Sequence, residues 1–268
     1  MTATRENFPV ALRILPAEIR EDLGALYKFA RHVDDVGDEW NGDRTTRLKE
    51  LAEDVHRLYD GRDPELPVVA GLVPTVRRHP IPREPWLDLI SANLHDQEVD
   101  HYESFGDLLD YCTLSANPVG LVVLHVFDRM TPERVELSNR VCTGLQLVEH
   151  WQDIGEDHAR GRVYLPSADM RRFGVDEADL AQPHASPELR ALVQYETDRA
   201  LAYLNSGSVL VSTLTGWARL AISGYVNGGR AAADGLRRSG YDPLPGLAKP
   251  TARQIARRWL RETVRSPG

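Results

Sequence analysis

Apolar residues at Ile19, Leu23, Leu26, Tyr27, Ala30 and Val33 recur at intervals of three and four, the period of a helix with one buried face. Pro16-Ala17-Glu18 predicts where it starts, because proline is tolerated in the first turn and early carboxylates suit the helix dipole. Leu48, Leu51, Val55 and Leu58 predict a second helix over residues 44–59, stopped by Gly61. Six prolines fall in the 23 residues from 63 to 85, so helix there must be short and interrupted. A helical pattern resumes over residues 86–102. Residues 105–127 read as one apolar helix kinked at Pro118 and Gly120, whose small residues leave room for a close helix crossing or for a bulky molecule alongside. Thr131 is a capping candidate for a helix running through Val135, Val141, Leu145 and Val148 to about residue 158, with Gly161 ending it. From Pro187 two long helices are expected, over residues 188–205 and 209–238, parted at Gly207, the second bent by Gly216, Gly224, Gly228 and Gly229. Neither strand alternation nor a solenoid repeat is visible. The expectation is an all-α bundle forming a single domain over residues 1–268.

Two of these helices carry carboxylates at helical spacing. Asp34 and Asp38 project side by side four residues apart, and Glu149, Asp153 and Asp157 do the same over two turns; Asp35 lies about 100° round from Asp34. A single run of this kind is commonly a solvated helix face. Two runs, the second followed by Gly161-Arg162-Val163-Tyr164-Leu165-Pro166, point to chemistry. Clustered carboxylates repel unless cations or shifted pKa values relieve them. Hard oxygen ligands favour magnesium, which takes only one or two carboxylates per ion and completes its shell with water and phosphate oxygens. Arg31, one turn before Asp34, suits either a bidentate phosphate contact or a surface ion pair with Asp35. His150 beside the second run reads as an ordinary pocket-edge histidine.

Composition narrows the alternatives. The 268 residues suffice for one full core, and 42% hydrophobic with 27% charged residues is globular usage. A net charge of −8 opposes broad nucleic-acid binding. Cys112 and Cys142 are too few for a disulfide framework and read as reduced core thiols. The start has no secretory pattern and no window is apolar enough to span a membrane, so a cytoplasmic protein is expected. The tail, residues 251–265, spaces Arg253, Arg257, Arg261 and Arg265 by four beside Ile255, Trp259 and Leu260. That pattern is either a solvated basic face or an interfacial helix making peripheral membrane contact. There is no HExxH or Cys/His zinc spacing, no G-x-S-x-G elbow and no glycine-rich nicotinamide fingerprint.

The paired acidic runs resemble the two aspartate-rich signatures of the squalene and phytoene synthase family, all-α enzymes that act on prenyl diphosphates. Glu6-Asn7-Phe8-Pro9-Val10, Ser115-Ala116-Asn117-Pro118-Val119-Gly120 and Trp151-Gln152-Asp153 resemble its bacterial hopanoid branch, the hydroxysqualene synthases. The likeness runs from about residue 6 to about residue 241. The resemblance implies an isoprenoid-synthase bundle around a prenyl cavity, with two or three magnesium ions held by Asp34, Asp38, Asp153 and Asp157. It implies substrate contacts for Phe8, Arg31, Gln146 and Arg162, with the Asn7-Phe8 segment capping the diphosphate end. Tyr27, Tyr111 and Tyr164 would stand at the reacting end, and Asn117 is a polar group suited to positioning water.

Three positions depart from the family pattern. Glu149 replaces the usual Asn, which puts the geometry of a third magnesium in question. Gln152 stands where the squalene and phytoene branches carry Arg, and Glu6 where others place a small or basic residue. These changes favour conversion of presqualene diphosphate to hydroxysqualene by ionisation, cation rearrangement and water capture, without NADPH. A presqualene diphosphate synthase would be the supplying partner. The alternatives are head-to-head condensation to phytoene, dehydrosqualene or squalene, and a non-catalytic relative acting in binding or assembly, which would be expected to have lost metal carboxylates.

Overall fold

The computed structural model describes residues 14–246, which group into two compact units. The segment Glu6-Asn7-Phe8 and the arginine-spaced tail lie outside the described residues. Every named element is helical, and among the described residues extended pairing is confined to an isolated bridge between His101 and Val163. No described helix is long and apolar enough to cross a membrane.

The first unit comprises residues 14–99 and 110–139. It contains α1 (Ala17–Glu39), α2 (Arg44–Tyr59), α3 (Pro67–Ala70), α4 (Val73–Arg78) and α5 (Glu84–His95), residues 110–115 of α6 (Phe105–Ser115), and α7 (Asn117–Val126). Leu23, Leu26, Phe29, Val33 and Val36 form the buried stripe of α1. Phe29 meets Trp86 of α5 edge to face at 5.3 Å, and the Trp86 indole donates to the Tyr59 hydroxyl at 2.8 Å. Two buried carboxylates pin the proline-rich stretch that cannot form a long helix. Asp22 accepts from Thr75 at 2.7 Å and from Arg78 at 3.1 Å and contacts the His79 ring at 3.0 Å. Asp54 accepts the backbone N–H groups of Glu65 and Leu66, each at 2.8 Å.

Two boundaries differ from expectation. α5 ends at His95 instead of continuing to Tyr102, because residues beyond it leave the helix to bond elsewhere. The expected kinked helix over residues 105–127 is broken in two at Ala116, where φ is −116° and ψ −48°. Pro118 has no N–H and its ring opposes the carbonyl four residues back, so α6 stops and Pro118 enters the first turn of α7, where no donor is missed.

The second unit, described over residues 100–109 and 140–246, contains residues 140–159 of α8 (Pro132–Ala159), α9 (Ser167–Phe173), α10 (Glu177–Leu180), α11 (Pro187–Gly207), a 3-10 turn (Ser208–Thr213) and α12 (Gly216–Arg238). Leu147, Val148 and Trp151 of α8 are fully buried, as are Leu189, Leu192, Val193, Ala200 and Leu204 of α11 and Ala221, Ala232 and Leu236 of α12. The Trp151 indole donates to the Glu196 carbonyl at 3.1 Å and so ties α8 to α11. The stretch after α8 is held to residues 100–102: Val163 N–H donates to the Asp100 carbonyl at 2.8 Å and Ser167 N–H to that of Tyr102 at 2.9 Å. α12 starts at Gly216 instead of residue 209, since Ser208–Thr213 winds as 3-10. The sequence reading also missed α9 and α10, although the Asp176/Asp179 capping box of α10 was legible. Of the two thiols, Cys112 is buried as expected and Cys142 is only partly buried.

Candidate active site

On α1 the apolar stripe turns Val33 and Val36 inward and leaves Asp34 exposed and Asp38 half-buried. The acidic turn is braced from α5. Asn93, only 8% exposed, donates its amide N–H to Asp34 Oδ1 at 3.2 Å. Gln97 donates to the Gly37 carbonyl at 3.2 Å. Gly37 is required by this approach, for a Cβ there would lie 2.2 Å from Asn93 Oδ1. Arg31 forms the surface ion pair with Asp35 at 2.8 Å. Partial burial opposes its charge, but Asp35 and then Asp34 outweigh that and raise its pKa, so the guanidinium stays charged beside Asp34. Tyr27 is half-buried one turn earlier. In the same unit the buried Tyr111 hydroxyl donates to Asp96 at 2.7 Å, with its ring 5.8 Å from that of His95, and Asn117 is half-buried at the first turn of α7.

On α8 the same alternation recurs. Trp151 and Gln152 face inward, while Glu149, Asp153 and Asp157 are each partly exposed along the next face. Gln152 is 3% exposed, and its amide nitrogen lies 4.0 Å from where a Cβ on Gly235 of α12 would stand. An arginine here would have to bury its charge. Gly161, at φ 81°, turns the chain out of the helix, and the Arg162 N–H donates back to the Asp157 carbonyl at 2.9 Å. A small cleft opens there, lined by His150, Ile154, Asp157, Arg162, Tyr164 and Leu180 among others.

His150 borders this cleft, as expected from the sequence, but is almost wholly buried. It is 6% exposed and stacks on Tyr164 at 3.8 Å between ring centroids with 19° between planes. Tyr164 stacks in turn on Tyr102 at 5.8 Å, again at 19°. Burial, reinforced by the Arg162 charge, lowers the His150 pKa to about 3, so the ring is neutral. Gln146, one turn earlier, brings its amide nitrogen to 3.2 Å from His150 Nε2.

The structure thus gathers Gln146, Asp157, Arg162 and Tyr164 in one unit and Tyr27, Arg31, Asp34 and Asp38 on one helix of the other. It adds Asn93, Gln97, Tyr102 and His150, which sequence reasoning did not assign. The available signal was a polar Asn on an apolar stripe of α5, opposite a glycine set between two aspartates. The donor set fits a hard divalent cation, being carboxylate oxygens with partial access to solvent. Among the described residues no three His, Cys, Asp or Glu groups form a ready-made metal cage.

The family profile of squalene/phytoene synthases matches residues 1–259. The hydroxysqualene synthase of Zymomonas mobilis is 36% identical over 192 residues, covering 70% of this chain; the match spans 64% of that relative's length. The hydroxysqualene synthase of Rhodopseudomonas palustris is 32% identical over 210 residues, 78% of this chain and 71% of its own. The crystal structure of squalene synthase HpnC from Alicyclobacillus acidocaldarius is 39% identical with a TM-score of 0.79, covering 85% of this chain and 87% of that one. On these grounds the chain belongs to the squalene/phytoene synthase family, all-α enzymes of isoprenoid biosynthesis.

Proposed function

We propose that this enzyme converts presqualene diphosphate to hydroxysqualene, and that the acidic faces of α1 and of α8 are its metal-binding elements. The observation that carries the reading is the end of α8, where Asp157, Arg162 and Tyr164 border one cleft behind a helix face bearing Glu149 and Asp153. Similarity to two hydroxysqualene synthases supports the same branch.

In this reading Asp34, Asp38, Glu149, Asp153 and Asp157 hold two or three magnesium ions. Bound magnesium supplies Lewis-acid stabilisation of the departing diphosphate. Arg31 and Arg162 contribute fixed positive charge to its oxygens, and Gln146 fixes its orientation. The carbon–oxygen bond breaks with its electron pair leaving on pyrophosphate. The cyclopropylcarbinyl cation rearranges beside Tyr27 and Tyr111, whose ring quadrupoles favour positive charge, while Tyr164, its ring stacked on His150 and Tyr102, offers its phenol oxygen. Asn117 orients one water, whose oxygen bonds to the cation and whose proton is lost to solvent. No reductant is required, because water and not hydride ends the reaction. Neutral Gln152 leaves the diphosphate end without the arginine of condensing branches. Substrate would come from a presqualene diphosphate synthase. Its lipid character favours a cytoplasmic enzyme working at a membrane surface.

The test is incubation of purified protein with presqualene diphosphate and, separately, farnesyl diphosphate, each with and without magnesium, followed by mass analysis of the lipid extract. Magnesium-dependent hydroxysqualene from the first and nothing from the second is expected. A hydrocarbon or presqualene diphosphate made from farnesyl diphosphate would place the chain among the condensing enzymes instead.

A further inference from the structure

Gln146 and Tyr164 come from different parts of the chain, one on α8 and one beyond its end, and Tyr164 lines the cleft. A single side chain joins them. His150 stacks face to face on Tyr164 at 3.8 Å and lies 3.2 Å from the Gln146 amide nitrogen. We infer that His150 is a positioning residue, which sets the orientation of the Gln146 carboxamide through Nε2 and the plane of the Tyr164 ring through its face. The role assigned to those two partners rests on the proposed function; the joint itself does not.

The chemistry of the contact is directional. An amide nitrogen only donates, so the imidazole nitrogen facing it must carry the lone pair, which places the ring proton on Nδ1. The amide is thereby fixed with nitrogen toward His150 and carbonyl oxygen turned away. With the proton on Nδ1, a flip would set two acceptors against each other. The other partner is held by area and shape: Tyr164 is clamped between His150 and Tyr102, all three rings being less than 9% exposed. Tyr102 is fixed in its turn by its carbonyl accepting from Ser167. One end of the column meets the Gln146 side chain and the other is held through the Tyr102 backbone, so the phenol of Tyr164 has little freedom to tilt.

Two measurements test this on the full-length protein. Nitrogen-15 NMR of the histidine rings at neutral pH should show His150 Nε2 unprotonated, with a resonance that moves on Gln146→Ala. Steady-state kinetics on presqualene diphosphate should show His150→Phe, which keeps a flat ring against Tyr164 but no acceptor, raising KM by about 3- to 10-fold with kcat within about twofold. The same change in a Gln146→Ala background should add nothing, since the group being oriented is already gone. A protonated Nε2, a resonance indifferent to Gln146→Ala, or effects of the two substitutions that multiply would overturn the inference. If the wild-type protein leaves presqualene diphosphate untouched, the proposed function fails, and the NMR result decides the role of His150 by itself.

Discussion

Asp34 shows how much a single carboxylate depends on its neighbours. Its Oδ1 accepts from Asn93 at 3.2 Å, and Asn93 reaches it only because residue 37 has no side chain. Asn93→Ala removes a donor to a charged group, a contact of about 1.5 to 3 kcal/mol. We expect the folded protein to need roughly tenfold more magnesium for half-maximal thermal stabilisation, or for half-maximal turnover. An unchanged magnesium requirement would remove Asn93 from the account. Gly37→Ala forces the buried Asn93 side chain to turn away from Asp34 or α1 and α5 to shift, so a loss of about 1 to 3 kcal/mol in urea unfolding is expected. The Asp34 and Asp38 pair was legible in the sequence because helical spacing alone places them. Asn93 was not, because its partner lies 59 residues away and periodicity carries no information about which helix will stand opposite.

Helices were legible wherever an apolar stripe and a stop signal agreed. The second helix was expected over residues 44–59 and is Arg44–Tyr59. Expectation failed where tertiary hydrogen bonds compete with the helix, as at residues 96–102, and where a proline ends one helix and begins the next, as at Pro118. The brace between α8, α9 and α11 yields a prediction at this scale. Glu196 on α11 is completely buried. Arg199 donates to Asp169 of α9 at 2.8 Å and to Glu196 at 3.1 Å, and Glu196 Oε2 meets no donor. Burial pushes the Glu196 pKa up to about 8, Arg199 opposing and Asp169 adding to it. The folded state therefore holds a proton that the unfolded chain releases near pH 4.5. Its contribution to stability is complete below that pH, declines as pH rises, and is gone above about 8. Glu196→Gln should flatten the fall in stability between pH 5 and 8, measured by urea unfolding, and leave the variant the more stable form at pH 8.5. A wild-type curve already flat over that range would contradict a proton on Glu196.

At the scale of the whole molecule, the proposed function assigns the chemistry to two acidic helices. Both were visible in the sequence as carboxylates four residues apart on amphipathic helices, and the family they indicate is the one the comparisons establish. What the sequence could not indicate was the support behind each: the Asn93 bridge to α1, and the Tyr102–Tyr164–His150 stack behind the end of α8. Both supports depend on which segments meet in space. If the two helices act on one diphosphate, Asp34→Asn and Asp153→Asn should each lower turnover by at least about 100-fold. The double variant should then be little worse than either single, because groups acting as a unit are not additive. Independent multiplication of the two losses would separate the helices functionally. The most direct measurement is turnover of presqualene diphosphate with magnesium in water enriched in oxygen-18. Water capture predicts hydroxysqualene carrying one heavy oxygen, formed in step with released pyrophosphate. An unlabelled hydrocarbon, or recovery of the diphosphate unchanged, would contradict it.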